Sequence, residues 1–95
     1  MIKNFKCKEA HSIWLGNVSR RLPSDIQHIA RRKLRMLNNA KQLRDLRIPP
    51  HNHLEGLKGD REGWHSVRIN DQWRICFEWP RHADGPSNVE IVDYH

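Results

Sequence analysis

Ninety-five residues suffice for one hydrophobic core and leave little for a second, so the chain is read as one domain over residues 1–95. With 37% apolar and 29% charged residues, and four tryptophans to fill a core, the composition excludes an extended disordered chain. Seventeen Lys and Arg against eleven Asp and Glu give a formal charge of +6 and a pI near 9.9, a balance that favours a polyanionic partner, nucleic acid first, by counterion release.

The charge is uneven. Residues 20–47 carry nine basic side chains (Arg20, Arg21, Arg31, Arg32, Lys33, Arg35, Lys41, Arg44 and Arg47) against two acids, Asp25 and Asp45, while residues 54–95 are slightly acidic. A solvated helix face that merely keeps the chain soluble is the alternative to a nucleic-acid surface. Cys7 and Cys76 fit no zinc spacing and no disulfide framework, and are expected as small buried side chains in a reducing compartment. No apolar run resembles a signal peptide or approaches the roughly twenty residues that span a bilayer, so a cytoplasmic protein without a membrane partner is expected.

In chain order, residues 2–5 are predicted as an edge strand. Residues 8–15 follow as a helix, with Ala10, Ile13 and Trp14 at helical spacing and Gly16 as its C-terminal cap. Pro23 and Ser24 open the main helix, Ser24 capping it and Gln27 completing a capping box. Ile26, Ile29, Ala30, Leu34 and Leu37 form its apolar stripe, and Arg31, Arg32, Lys33 and Arg35 fill the remaining arc. Asn38 and Asn39 interrupt it, Asn39 and Gln42 repeat the capping pattern, and a shorter helix with Leu43 and Leu46 ends at Pro49-Pro50.

The period then shifts toward two. Trp64, Ser66 and Arg68 share one face of a strand, with His65, Val67 and Ile69 on the other; Trp73, Ile75, Phe77 and Trp79 share a face of the next, with Arg74, Cys76 and Glu78 opposite. Asn70-Asp71 supplies the hairpin turn, residues 80–87 a second turn, and residues 89–93 a last strand. The expected fold is α+β, with N-terminal helices packed on one face of a twisted, mainly antiparallel sheet of three or four strands. The other face is expected to be open and to carry Arg68 and Arg74.

Cleaving RNA without a metal requires a base for the 2′-hydroxyl proton, cations for the charge gathering on the phosphate, and an acid for the leaving 5′-oxygen. His95 titrates near neutral pH, Asp93 can orient it, and Tyr94 offers a phenol for hydrogen bonding or stacking. Lys58, Arg68 and Arg74 are the phosphate clamps. Each residue also has a plainer reading: a polar tail, strand arginines paired with Glu62 or Glu78, a turn lysine. His51, His53 and His65 lack the companion ligands of a metal site, so no metal and no other cofactor is expected. Residue chemistry alone therefore leads to a basic, RNA-binding α+β domain with a candidate acid–base cluster.

The run Leu54-Glu55-Gly56-Leu57-Lys58-Gly59-Asp60-Arg61-Glu62-Gly63-Trp64, followed by Ser66-Val67-Arg68-Ile69-Asn70-Asp71-Gln72-Trp73-Arg74-Ile75-Cys76-Phe77, resembles the central motif of HigB-type toxins of the RelE superfamily. The closing Val89-Glu90-Ile91-Val92-Asp93-Tyr94-His95 resembles their ending. Arg31-Arg32-Lys33-Leu34-Arg35-Met36-Leu37 and Leu43-Arg44-Asp45-Leu46-Arg47 extend the resemblance through the helical half.

The resemblance implies a RelE-like fold and a ribosome-dependent, metal-independent endoribonuclease. Such an enzyme cleaves translated messenger RNA in the decoding site by 2′-oxygen attack, leaves a 2′,3′-cyclic phosphate, and arrests growth. It implies Asp93, Tyr94 and His95 as a C-terminal catalytic group, with Lys58 and Arg74 on the scissile phosphate; Arg68 is added from strand parity. Arg31, Arg32 and Arg35 are expected to dock on ribosomal RNA and to contact the antitoxin. The partners implied are the ribosome with its message and a HigA-type helix-turn-helix antitoxin, with promoter DNA met only through that antitoxin. Some relatives carry a His just before the Lys-Gly turn where this chain has Glu55, so either His53 substitutes or the proton relay rests on the terminal residues. The competing class is a non-catalytic RNA- or ribosome-binding module of the same fold. A DNA-binding regulator acting alone is disfavoured, because the cationic helix lacks helix-turn-helix spacing.

Overall fold

Helix α1 (Lys8–Trp14) buries Ala10 and Ile13 and stops at Gly16, whose φ of 90° is the left-handed conformation that ends a helix at least cost. The computed structural model describes residues 1–57, 59 and 63–93. Helix α2 (Ser24–Asn39) turns Ile26, Ala30, Leu34 and Leu37 inward. Ser24 does not cap it. Pro23 takes the cap position, and the Gln27 amide reaches back instead, accepting from the Ser19 N–H (3.0 Å) and donating to the carbonyls of Ser19 (2.8 Å) and Leu22 (2.9 Å). A buried amide that satisfies loop backbone groups outweighs a cap whose N–H groups water can serve.

Lys33 also departs from its expected place on the cationic arc and is only 3% exposed. The reason is spacing: Lys33 lies seven residues after Ile26, three after Ala30 and four before Leu37, so it belongs to the inward stripe.

Downstream of α2, two 3₁₀ turns, Leu43–Arg47 and Pro50–Asn52, replace the expected second helix. The box that opens the first is Gln42 with Asp45, not Asn39 with Gln42. The Asp45 carboxylate accepts the N–H groups of Gln42 and Lys41 at 3.0 Å each, which holds its pKa below the usual carboxylate range. Two prolines remove N–H donors directly behind this turn and leave too little chain to propagate an α-helical ladder.

Strands β1 (Glu55–Gly56), β2 (Trp64–Arg68), β3 (Trp73–Glu78) and β4 (Ser87–Asp93) form an antiparallel sheet in chain order. Residues 2–5 make no strand: Phe5 alone bridges, in parallel, to Val89. Asn4 receives the Asn88 N–H on its side-chain oxygen (2.7 Å), so side-chain bonds take over part of what a ladder would do. At the β2–β3 turn the Asn70 side chain accepts from the N–H groups of Gln72 (2.9 Å) and Trp73 (2.8 Å), the expected turn chemistry.

Register assigns the faces. Val67 and Ile91 flank Ile75 as direct cross-strand partners, His65 faces Phe77, and this side joins Ala10, Ile13 and the α2 stripe in the core. Trp64, Ser66, Arg68, Arg74, Cys76, Glu78, Glu90 and Val92 alternate onto the other side. That side is not open as expected: Ser66, Cys76 and Arg74 are 0, 1 and 7% exposed. Lys6 pairs with Glu90 (3.5 Å) and stands 5.2 Å over the Trp64 ring, and the Pro50–Asn52 turn packs beside β2. Arg74, laid along the strand on Ser66, covers part of the sheet centre with its aliphatic stem.

His65 gives the fold a pH dependence. Its ring stacks on Phe77 at 6.2 Å between centroids, and burial lowers its pKa, with a partial offset from the Gly63 backbone. A folded-state value below the ordinary 6.5 means that the unfolded chain takes the proton first. Stability is therefore complete above that pH and falls as the pH drops through the window beneath it. His65→Phe is expected to flatten the slope of unfolding free energy against pH in that window, measured by urea denaturation; an unchanged slope would assign the dependence to another group.

Candidate active site

Arg74 on β3 faces Arg68 on β2 directly. Like charges at facing positions repel, and the two guanidinium groups resolve this differently. Arg68 turns outward to Asp71 at 2.5 Å. Arg74 lies along the sheet: its Nε donates to Ser66 Oγ (2.8 Å), and its Nη2 donates to the Ser66 carbonyl (3.2 Å) and to the His53 carbonyl. Its Nη1 stands 4.0 Å from the Glu55 carboxylate. A planar fork matched to acceptors from two separate chain segments is fixed in orientation, the condition for a group that must meet a phosphate without reorganising.

The helical half meets the sheet here. Lys33 donates from Nζ to Asn52 Oδ1, and its pKa is lowered first by burial and then by the charges of Arg32 and Arg68. Arg32 and Lys33 on α2 therefore share one cationic field with Arg68 on the sheet, beside Arg74.

Of the residues singled out by sequence, Arg68 and Arg74 are brought together. Asp93 ends β4 opposite Trp73, on the face away from Arg74, and accepts from the Gln72 side chain (3.0 Å). Arg31 is committed to the fold: it donates to the carbonyls of Ile13 (2.9 Å) and Asn17 (3.3 Å) and so closes the end of α1. Arg32 and Arg35 are exposed on α2. Lys58, Tyr94 and His95 lie outside the described residues, as does Glu62. Glu78 meets Asn88 (2.6 Å). His53 contributes its backbone carbonyl to Arg74, and Glu55 contributes its carboxylate.

Ser66 and Asn52 are further members that sequence reasoning passed over. Ser66 carried a signal, since its spacing of two from Arg68 puts both on one face. Among the described residues, no group of three or more His, Cys, Asp or Glu is placed to hold a metal, and no helix is long and apolar enough to cross a membrane.

Residues 3–95 match the family described as the RelE-like toxin of type II toxin-antitoxin systems, HigB. The chain belongs to this family. It is 42% identical over 96 aligned positions to toxin HigB-1 of Vibrio cholerae, covering 100% of this chain and 98% of that one. It is 33% identical over 97 positions to endoribonuclease HigB of Proteus vulgaris, with both chains covered in full. An uncharacterized protein of Haemophilus influenzae is 34% identical over 64 positions, covering 67% of this chain and 63% of that one. The two helices and the four-stranded antiparallel sheet are the α+β, RelE-like fold of the HigB family. As a toxin of a type II system, a HigB chain has a cognate antitoxin.

The cost of disturbing the site follows from burial. Ser66→Ala removes an acceptor from a buried cation and is expected to destabilise the fold by about 1–3 kcal/mol, read as a lower urea midpoint with an unchanged m-value. Adding Arg74→Met should recover part of that loss, because both partners are then apolar; a purely additive double variant would contradict the coupling.

Proposed function

We propose that this HigB-family toxin is an endoribonuclease that cleaves translated messenger RNA on the ribosome by metal-independent attack of the 2′-oxygen on the adjacent phosphorus. The observation that carries the reading is the Arg74 guanidinium, fixed between Ser66 and the His53 carbonyl, opposite Arg68 and within 4.0 Å of the Glu55 carboxylate. The Proteus vulgaris relative, endoribonuclease HigB, points the same way.

In this reading the half-exposed Glu55 takes the proton from the 2′-hydroxyl, which answers the missing histidine at that place. Arg74 and Lys58 stabilise the negative charge that gathers on the non-bridging phosphate oxygens, and Arg68 holds the neighbouring phosphate. The new oxygen–phosphorus bond closes a 2′,3′-cyclic phosphate as the bond to the 5′-oxygen breaks. His95 donates the proton that the leaving oxygen needs, with Asp93 orienting the terminal segment and Tyr94 stacking on a base. The ribosome supplies in-line geometry, so a sparse acid–base set suffices. Arg32 and Arg35 dock on ribosomal RNA. The toxin works in the cytoplasm and is silenced by a HigA-type helix-turn-helix antitoxin, through which alone it meets promoter DNA.

Primer extension on message from induced cells is expected to show discrete breaks within codons. Glu55→Gln and His95→Ala should each lower the cleavage rate on programmed ribosomes by about 10²–10⁴-fold, the usual contribution of a general acid or base. Absence of breaks with the unaltered chain would make it a binding module of the same fold, and full activity of either variant would remove that residue from the mechanism. Arg32→Glu with Arg35→Glu should weaken ribosome association and flatten its dependence on salt. Arg31→Glu should lower stability and leave that salt slope nearly unchanged; a flattened slope would return Arg31 to the docking surface.

A further inference from the structure

We propose that Lys33 and Asn52, neither of which reaches the RNA, are positioning residues that set the guanidinium plane of Arg74 through the His53 carbonyl. The proposal rests on the reading of Arg74 as the contact to the scissile phosphate.

Asn52 is 1% exposed and ties three segments together. Its amide nitrogen donates to the carbonyls of Leu46 (3.2 Å) and Ile48 (3.4 Å), and its Oδ1 accepts from Lys33 on α2. The next residue, His53, is held in the left-handed region at φ 44° and ψ 57°, with its N–H on the Pro50 carbonyl (3.0 Å). A side chain in that region carries a steric penalty that neighbouring structure must offset. In return the His53 carbonyl accepts from Arg74 Nη2, the nitrogen that also donates to the Ser66 carbonyl (3.2 Å), while Nε donates to the Ser66 hydroxyl (2.8 Å). The direction of that carbonyl is thus set by the backbone that Asn52 anchors.

The choice of lysine at position 33 is not explained by stability. Residue 33 sits on the stripe of Ile26, Ala30 and Leu37, where Leu or Met would bury cheaply, yet it is a desolvated ammonium beside Arg32 and Arg68. Among the described residues no carboxylate meets it. A buried charge on a neutral acceptor is a net cost to the fold. What lysine supplies is a donor with no acceptor. An amide can present either end to its surroundings, but an ammonium bonds only to the oxygen. Lys33 therefore pins Asn52 with its oxygen toward α2 and its nitrogen on the Leu46 and Ile48 carbonyls. Leu or Met would leave the buried Asn52 oxygen without that donor and the amide held only at its nitrogen end, loosening the turn that carries His53.

The test uses the full-length toxin labelled with ¹⁵N-arginine, on which solvent exchange of the Arg74 Nε–H is read by NMR without RNA. Lys33→Met is expected to keep or raise the melting temperature and yet accelerate that exchange about tenfold, and Lys33→Arg, another donor-only side chain, to restore protection. On ribosomes programmed with a defined message, Lys33→Met should lower kcat about tenfold at unchanged KM, the mark of an interaction used only in the transition state. The same substitution should have no further effect in an Arg74→Lys background. Asn52→Ala should reproduce both effects if it folds; Lys33→Met decides the matter if it does not. Unaltered exchange in Lys33→Met would overturn the proposal, as would a kcat loss that persists in full without Arg74. If the unaltered toxin cleaves nothing, the functional reading fails, and the exchange measurement still decides the relay.

Discussion

A guanidinium ion buried on the outer face of a small sheet is the constraint to which the rest of the molecule answers. Taking such a charge out of water costs several kcal/mol unless its donors find acceptors in the right plane. Arg74 finds them in the hydroxyl and carbonyl of Ser66 and in the carbonyl of His53. Ser66 is available because β2 and β3 pair in a register that puts it on the Arg74 face, and that register is fixed by Val67 and Ile75 on the reverse side. His53 is available because the chain leaves the second 3₁₀ turn in a left-handed conformation and runs straight into β1. Core packing on one side of the sheet thus determines the electrostatics on the other.

The same constraint explains why the helical and sheet halves cannot be treated separately. The basic residues between positions 20 and 47 look like a single cationic surface, but they divide by task. Arg31 ties α1 to α2, Lys33 anchors the turn beside the sheet, and Arg32 and Arg35 remain on the outside. A net charge of +6 is therefore an imperfect measure of the cations available to RNA, since some of it is engaged in holding the fold.

How much of this was legible in the sequence depended on whether the signal was periodic. The alternation from Trp64 to Trp79 correctly placed Arg68 and Arg74 on one face, and the apolar stripe of α2 was correct apart from Lys33, whose spacing was inward while its chemistry suggested outward. Capping was read less well. Gln27 and Asp45 found partners in the loops before them, and such competition is settled by tertiary contacts that no local pattern records. Two-residue β1 has no period to detect, so the approach of Glu55 to Arg74 could not be foreseen. Packing all the helices on one face suggested that the other was open, yet Ser66, Cys76 and Arg74 are buried there, Arg74 lying along the strand. The family motifs identified the catalytic class because they record solutions that physical reasoning from one chain reaches only in part.

The proposed chemistry places the burden on a preformed phosphate contact, with the ribosome ordering the substrate. That claim is tested most directly by replacing one non-bridging oxygen of the scissile phosphate with sulfur and comparing single-turnover cleavage by the unaltered toxin and by Arg74→Ala. If Arg74 grips that oxygen, sulfur slows the unaltered toxin strongly and slows the variant, already slow on the oxygen substrate, by little more. An equally large sulfur effect in both would show that the phosphate is held elsewhere.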